Sequence, residues 1–290
     1  MSFRTVLITK QSKLNYKNRF LVVKQGLDEK YIHLSEIDTI IVDSIAVSVS
    51  TYLLKEIIDS KVNIIFCDEK HNPFSEIRPF YSSHNSSKKI MNQIKWTKVN
   101  TNKLWDEIIK NKIINQALNI RDIDGDKYDL LMGYLTNVKN GDETNREGLS
   151  SKVYFSALFG NDFIRHNNDK INAALNYGYT ILLSTFNKEI VNLGYLTQLG
   201  IHHKNEFNQF NLSCDLMEPF RVVIDKFVFD NKITEFDSDY KMKLISLFDQ
   251  KYSYDNKKYT LKDIIKLYTK NTLDVLEKNK KYKGFILYEE

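Results

Sequence analysis

The sequence predicts an α+β protein of two domains, a small β-rich N-terminal domain followed by a larger all-α domain. Short apolar runs of strand length, rich in β-branched residues, fill the first third of the chain. Beyond residue 88 the apolar residues recur at helical spacing instead. A polar segment rich in serine separates the two patterns. We therefore expect a β-rich domain at 1–80, a linker at 81–88 and a helical domain at 89–290.

The N-terminal pattern consists of strands with one helix between them. The apolar runs that predict strands are 5–8, 20–23, 31–34, 39–42 and 63–67. Ser50 precedes a segment in which Leu53, Leu54, Ile57 and Ile58 have helical spacing, so this serine is expected to cap a helix. The domain should therefore combine a sheet with at least one packed helix.

The helical pattern recurs in several segments of the second domain. The residues that carry it are Trp105, Ile108, Ile109, Ile113 and Ala117, then Val153, Tyr154, Ala157 and Leu158, then Ile181, Leu182, Thr185, Phe186 and Ile190, and finally Leu261, Ile264, Ile265 and Tyr268. The acidic run from Asp122 to Asp126 resembles a calcium loop only superficially. Lys127 stands where the EF-hand requires glycine, and the twelfth position is Gly133 instead of glutamate, so we interpret the run as a polar turn.

Composition excludes several classes of function. The net charge of +5 permits a polyanionic partner without requiring one. Cys67 and Cys214 are too few for a disulfide framework or a zinc site, and they indicate a reducing compartment such as the cytoplasm. The sequence has no signal-peptide pattern and no apolar run of membrane-spanning length. It also lacks a P-loop and a dinucleotide-binding fingerprint, so nucleotide-driven chemistry is not indicated.

Four residues of the second domain have the chemistry of metal ligands: Glu147, His203, Asp215 and Glu218. Hard carboxylates together with an imidazole suit Mg²⁺ or Mn²⁺, and on a basic chain such a metal would act on phosphodiesters. Each residue also has a structural interpretation. The segments 144–147 and 215–218 have the spacing of a helix capping box, and a lone histidine is more often structural than a ligand.

The order of the motifs resembles one family. The stretches Asn145–Gly148 with Lys152–Phe155, Ala174–Tyr179, Gly200–His203 and Asp215–Arg221 occur in that order. Asp215 and Glu218 follow His203 by 12 and 15 positions. In these respects the chain is similar to the CRISPR-associated integrase and endonuclease of the spacer-acquisition (adaptation) module, in its type II form. The similarity extends to the β-rich N-terminal domain.

The resemblance implies an all-α catalytic domain in which Glu147, His203 and Glu218 are both catalytic residues and the ligands of one Mg²⁺ or Mn²⁺. Asp215 would belong to the site, orient His203 from behind it, or cap its helix. His202 is the competing imidazole, and the spacing favours His203. Basic residues near these stretches that would contact DNA are Arg146, Lys152, Arg165, Lys204 and Arg221.

The resemblance also implies the reaction and the partners. The enzyme would insert short foreign DNA into a CRISPR repeat array by 3′-hydroxyl transesterification, as part of prokaryotic antiviral adaptive immunity. Its partners would be double-stranded spacer and repeat DNA, a second copy bound through the β-rich domain, and a small ferredoxin-like adaptation protein that bridges two homodimers into a heterohexamer. The type II effector nuclease and other adaptation proteins would also take part, and no membrane is expected.

Two alternatives remain open from the sequence. A stand-alone metal-dependent nuclease would share the site, would prefer water over a DNA hydroxyl, and would need no partner. A non-catalytic nucleic-acid scaffold, whose carboxylates were only helix caps, would bind DNA equally well with and without divalent metal.

Overall fold

The computed structural model describes residues 4–79 and 83–288 and confirms the predicted α+β class. The chain divides into two compact units, Met1–Phe80 with Asp237–Asp249 and Tyr81–Phe236 with Gln250–Glu290. Tyr81 and Ser82 of the predicted linker lie outside the described residues. The end of that linker differs from the prediction, because a helix begins at Ser86.

The first unit contains two four-stranded sheets. Its strands are β1 (Arg4–Ile8), β2 (Ser12–Lys17), β3 (Phe20–Gln25), β4 (Asp28–His33), β5 (Ile37–Val42), β6 (Val47–Val49), β7 (Asn63–Cys67) and β8 (Pro73–Glu76). One sheet has the order β1-β5-β7-β8 and the other β4-β3-β2-β6. The pairs β1–β5, β5–β7 and β2–β6 are parallel, and the remaining pairs are antiparallel.

The five predicted strands correspond to β1, β3, β4, β5 and β7. The predicted helix is α1 (Thr51–Asp59), and the Ser50 hydroxyl accepts a hydrogen bond from the Leu53 N–H at 3.3 Å, as a helix cap does. Leu53 and Ile57 are fully buried and pack in one core with residues of both sheets, such as Ile40 and Leu21. Strands β2, β6 and β8 were not predicted, because β2 is mostly polar and β6 and β8 are only three and four residues long.

One helix of the first unit comes from far along the chain. The segment Asp237–Asp249, which contains α9 (Ser238–Ser246), belongs to this unit, whereas the sequence had placed it in the helical domain at 89–290. Leu244 and Ile245 of α9 are buried, and the Lys241 ammonium donates to the His71 carbonyl oxygen at 2.9 Å. Periodicity identifies a buried helix face, but it does not show which core covers that face.

The second unit is mainly helical. Its helices are α2 (Ser86–Ile94), α3 (Lys98–Ile120), α4 (Gly125–Tyr134), α5 (Arg146–Phe159), α6 (Lys170–Asn192), α7 (Asn211–Met217), α8 (Arg221–Asp230) and α10 (Leu261–Lys278). A hairpin of β9 (Lys251–Tyr254) and β10 (Lys257–Thr260), which the sequence analysis did not predict, precedes α10. The predicted polar turn is the beginning of α4, where Asp124 accepts the Lys127 N–H at 3.1 Å. Within the described residues, no helix is both long and apolar enough to cross a membrane.

Candidate functional site

Glu147 lies in the first turn of α5, and two side chains fix that helix end. Asn145 is the N-cap and accepts the Gly148 N–H at 3.3 Å. The Asp142 carboxylate accepts the N–H groups of Arg146 and Glu147, each at 2.9 Å. The cap is therefore Asn145 and not Thr144, so the capping-box interpretation of Glu147 is wrong. The Glu147 carboxylate is free of the cap and points to Lys112 instead.

Asp215 does not cap a helix, because it lies inside α7 and is fully buried. Its carboxylate accepts the backbone N–H groups of Ile201, His202 and His203 at 2.5, 2.9 and 3.1 Å. It also bonds to Nδ1 of His203 at 2.5 Å. Asp215 therefore holds the whole loop 200–203 in one conformation, which agrees with the role of an orienting partner for His203.

The contact with Asp215 sets the state of the His203 ring. With Nδ1–H donating to the carboxylate, the neutral ring carries its lone pair on Nε2. The hydrogen bond that His203 donates to Asp215 raises the pKa of His203, and the charges of Glu218 and Glu147 act in the same direction. His202 has a different role, because its ring stacks on Trp105 at 4.3 Å between centroids. The structure therefore favours His203 over His202 as the functional imidazole.

Glu218 lies at an irregular point between two helices. Helix α7 ends at Met217, a 3-10 turn covers Glu218–Phe220, and α8 begins at Arg221. Pro219 lacks an N–H and so interrupts the α-helical hydrogen bonds here. Its carbonyl oxygen accepts from the Asn115 side chain of α3 at 2.9 Å, which ties the turn to that helix. Glu218 is consequently only 5% exposed.

Lys112 is the central residue that sequence reasoning missed. Its ammonium donates to Oε2 of Glu218 at 2.6 Å and also to Oε1 of Glu147. It therefore lies between two of the three predicted ligands. The signal was present in the sequence, because Lys112 follows Ile108 and Ile109 by four and three positions and so shares their buried helix face.

Charges of opposite sign balance within this cluster. Burial by itself would raise the pKa of Glu218, but the cations Arg221 and Lys112 outweigh it and lower that pKa to about 2. Arg221 donates from Nε to Oε1 of Glu218 at 2.9 Å. Burial opposes the charge of Lys112, and the two glutamates overcome that effect and raise its pKa. Glu218, Lys112 and Arg221 are therefore ionised at neutral pH.

The glutamates open on a cavity of about 320 Å³ whose lining carries three Lys or Arg side chains and three Asp or Glu side chains. Its lining includes Lys112, Glu147, Arg165, His166, Tyr179, Glu218, Arg221 and Asp225. The guanidinium groups of Arg165 and Arg221 lie 5.1 and 4.6 Å from the centroid of the Tyr179 ring. The Tyr179 hydroxyl donates to the buried Asp225, and burial raises the pKa of Asp225 to about 7.

The predicted DNA-contacting residues occupy different places. Arg165 and Arg221 line the cavity beside the glutamates. Lys204 lines a second cavity of about 560 Å³, into which His203 also opens. Lys152 is exposed. The guanidinium of Arg146 packs over the Tyr134 ring at 5.0 Å, so its side chain does not accompany the neighbouring Glu147.

The donor set fits a divalent metal in its chemistry. Two carboxylates and an imidazole with a free Nε2 are suitable ligands for Mg²⁺ or Mn²⁺, and both carboxylates already converge on one cation, the Lys112 ammonium. In the part of the chain that the structure describes, no three His, Cys, Asp or Glu side chains are grouped as a metal site. The two glutamates fit a metal once Lys112 withdraws, whereas His203 lines the other cavity in this structure.

Comparison with known proteins gives consistent results. Residues 6–243 match the family described as CRISPR associated protein Cas1. The CRISPR-associated endonuclease Cas1 of Neisseria meningitidis serogroup C (strain 8013) is 32% identical over 227 residues, which cover 78% of this chain and 74% of that protein.

Two solved structures share the fold. A casposase bound to integration product superimposes with a TM-score of 0.79 at 19% identity, over 100% of this chain and 95% of that one. A chain of a Cas6-RT-Cas1–Cas2 complex superimposes with a TM-score of 0.74 at 18% identity, over 99% of this chain and 36% of that longer one. Because the family match spans most of the sequence and a relative exceeds 30% identity over most of its length, this chain belongs to the CRISPR-associated Cas1 family.

Proposed function

We propose that this protein is the metal-dependent integrase and endonuclease of CRISPR spacer acquisition, in its type II form. The observation that carries the proposal is the convergence of Glu147 and Glu218 on one cation in the wall of a cavity that also presents Arg165 and Arg221. Two carboxylates that bind a cation next to guanidinium groups place positive charge in one site. Such a site stabilises a phosphodiester whose negative charge increases during the reaction.

Glu147, His203 and Glu218 are the proposed catalytic residues and ligands of one Mg²⁺ or Mn²⁺. When bound, this ion would neutralise charge on the attacked phosphate and favour deprotonation of the attacking hydroxyl. Asp215 keeps Nδ1 of His203 protonated and the ring fixed, so that the lone pair of Nε2 would be available to hold the ion. Glu218 remains ionised because Arg221 and Lys112 lower its pKa.

Arg221 and Arg165 are the proposed phosphate contacts. Arg221 is positioned on two sides, by Glu218 and by the face of Tyr179. Arg165 is held by the side-chain oxygens of Asn172 and Asn176, at 2.9 and 2.8 Å, and also faces Tyr179. Guanidinium groups held in this way lose little freedom when they bind a phosphate, which favours a defined position for the scissile group.

The proposed reaction is a transesterification. The 3′-hydroxyl oxygen of the incoming DNA forms a bond to phosphorus in the repeat strand, the bond from that phosphorus to the 3′ oxygen of the repeat breaks, and the proton passes to the leaving oxygen. One phosphodiester replaces another, so no ATP is consumed. Water as the nucleophile would instead give nicking.

We also propose that the protein works as a homodimer with a small adaptation partner on double-stranded DNA. The fold similarity to a chain of a Cas6-RT-Cas1–Cas2 complex supports a partner of this kind. The ferredoxin-like fold of that partner, the heterohexamer and the participation of the type II effector nuclease follow from the sequence resemblance and belong to the same proposal.

Strand joining by single-residue variants tests the proposal. Alanine at Glu147, His203 or Glu218 should abolish the joined product in a gel assay with Mn²⁺, while circular dichroism and DNA affinity stay near those of the parent protein. Glu107→Ala, at an exposed glutamate that pairs with Lys110, is the matched control and should keep joining. Normal joining by all three alanine variants would refute the site.

The same assay separates integration from simple cleavage. A DNA with a 3′-hydroxyl and a radiolabelled repeat duplex should yield a longer labelled product, and a 3′-deoxy end should abolish that product while nicking continues. If only shortened products form with either end, the protein is a nuclease that uses water.

A further inference from the structure

Lys112 occupies the position between two proposed metal ligands. Its side chain in α3 is 6% exposed, and its ammonium bonds to both Glu147 and Glu218. An ion bound by these two glutamates needs the carboxylate oxygens that Lys112 now contacts. The lysine and a divalent ion therefore compete for the same acceptors.

The charges of the cluster explain why this lysine is there. Glu147 and Glu218 carry two negative charges, and Lys112 and Arg221 carry two positive charges, so the group is neutral without a metal. Two glutamates held together in a largely buried site would otherwise repel each other and lose hydration without compensation. Lys112 therefore stabilises the metal-free site.

We propose that Lys112 is the counter-cation of the metal-free site and that it makes divalent-ion binding depend on DNA. This inference rests on the proposed function of the same site. An ion would add two positive charges to a neutral, largely buried cluster and would displace the lysine from its acceptors. A phosphodiester in the adjoining cavity would supply the missing negative charge and a new acceptor for the displaced ammonium.

The cavity can receive that ammonium. Lys112 lines it together with Arg165 and Arg221, which are the proposed phosphate contacts. A phosphate among these three groups would lie within the range of the lysine side chain without movement of α3. DNA and metal then favour each other's binding, and the coupling is reciprocal by thermodynamic linkage.

Mn²⁺ titration of the full-length protein tests the inference. The dissociation constant of Mn²⁺ is measured by electron paramagnetic resonance, with and without a duplex that carries a 3′-hydroxyl end. For the parent protein, DNA should tighten Mn²⁺ binding by at least about tenfold, which corresponds to about 1.4 kcal/mol. Equal Mn²⁺ affinity with and without DNA would overturn the inference, and this measurement needs no variant.

Substitution of the lysine gives the second arm. Lys112→Met should bind Mn²⁺ at least about tenfold more tightly than the parent protein without DNA, and the effect of DNA should shrink. Lys110→Met is the matched control, because Lys110 lies on the same helix, pairs with Glu107 and is much more exposed. The control should keep the affinity and the coupling of the parent protein. Parental values for Lys112→Met would refute the role of the lysine.

Thermal melting gives a readout that is independent of catalysis. Without metal, Lys112→Met should melt below the parent protein, because its glutamates have lost their shared partner, and Mn²⁺ should restore most of that loss. Lys112→Arg keeps the charge and should behave like the parent protein. A metal-free melting temperature unchanged by Lys112→Met would contradict the counter-cation role.

The two proposals fail differently. If the parent protein joins DNA and binds Mn²⁺, but Lys112→Met matches it in affinity, coupling and melting, only the role of Lys112 is wrong. If the alanine variants of Glu147, His203 and Glu218 join DNA normally, the proposed site itself is wrong. If no Mn²⁺ binds under either condition, both proposals fall.

Discussion

At the scale of single residues, Asp225 is a carboxyl group kept in an environment that disfavours its charge. It is 2% exposed on α8, and the Tyr179 hydroxyl is its hydrogen-bond donor. Burial raises its pKa to about 7, against the opposing effects of Tyr179 and Arg221. Asp225 therefore changes charge near neutral pH, at the hydroxyl of the Tyr179 ring that faces the two arginines of the cavity.

Stability should depend on the titration of Asp225. In the unfolded chain this carboxyl loses its proton near pH 4, whereas in the folded protein it does so near pH 7. The folded state therefore binds one more proton in this window, so the free energy of unfolding should fall as pH rises from about 4 to about 7. Asp225→Asn lacks this titration, and its stability relative to the parent protein should rise by a few kcal/mol across the window.

Urea unfolding at several pH values measures that difference. Asp230→Asn, at the exposed end of the same helix, controls for the loss of a charge on α8. A difference between Asp225→Asn and the parent protein that stays constant from pH 4 to pH 8 would show that Asp225 does not titrate in this window.

Gly200 is the residue that lets the histidine loop close around Asp215. A Cβ at this position would lie 2.4 Å from the His203 carbonyl oxygen and 2.8 Å from Oδ2 of Asp215. Neither atom can move freely, because Asp215 is bonded to three N–H groups and the His203 ring. Any side chain at 200 must therefore displace the backbone that carries His203.

We expect Gly200→Ala to reduce strand joining by about a hundredfold or more, because a small displacement of His203 spoils its alignment. The melting temperature should fall as well. Gly133→Ala is the control, because a Cβ there meets no atom within 4 Å and the residue lies inside α4. That control should keep full joining and gain slightly in stability. Normal joining by Gly200→Ala would mean that the loop geometry is not needed for catalysis.

At the scale of elements, the ends of helices position the site. Glu147 lies at the beginning of α5, Asp215 and Glu218 near the end of α7, and Arg221 at the beginning of α8. A residue at a helix end is held by the helix yet remains at its surface, so its side chain can reach a group on another element. Lys112, in the middle of α3, is the group that Glu147 and Glu218 meet.

The N-cap of α5 provides a test at this scale. Asn145 has φ 50°, in the left-handed region that asparagine and glycine adopt more readily than alanine. Asn145→Ala removes the bond to the Gly148 N–H and adds strain, so the free energy of unfolding should fall by about 1 kcal/mol or more. Asn145→Gly removes the same bond without the strain, so the free energy of unfolding should fall by only about a few tenths of a kcal/mol.

Urea unfolding of both variants measures the two effects, and strand joining should persist because Asp142 still holds the first turn. Equal losses for alanine and glycine would show that the left-handed conformation contributes nothing. Greater stability of the alanine variant would contradict the role of Asn145 as a cap.

At the scale of the whole molecule, the modest net charge of the chain limits its affinity for DNA. The net charge is only +5, so a single copy offers few phosphate contacts. We expect weak binding by the isolated protein and tighter binding in the proposed assembly with its small partner, because the contacts of several copies add along one duplex. For duplex DNA, each neutralised phosphate changes the slope of log affinity against log salt by about −0.9.

Salt titrations of DNA binding with and without the partner test this expectation. The slope should become steeper on adding the partner, and Arg165→Ala should make it shallower by about one unit per contributing copy. Arg121→Ala, at an exposed arginine that pairs with the adjacent Asp122, is the control and should leave the slope unchanged. Equal slopes with and without the partner would show that assembly adds no DNA-contacting surface.

The sequence by itself determined the fold class and the residues of the proposed site. Strand-length apolar runs and helical periodicity are local properties, so five strands of the first unit and the Ser50-capped helix could be predicted from them. The sequence also contains the identities and order of Glu147, His203, Asp215 and Glu218, and this order indicated the family.

Only the tertiary structure decided which partners these residues have. Three such contacts join segments far apart in the chain. Asp215 holds the loop of His203, Lys112 bridges Glu147 and Glu218, and α9 belongs to the first unit. Spacing within one helix shows which residues share a face, but the group that meets that face is fixed by packing between elements. In the sequence, Lys112 therefore only interrupts an apolar pattern. The structure explains its burial, because two carboxylates beside it neutralise its charge.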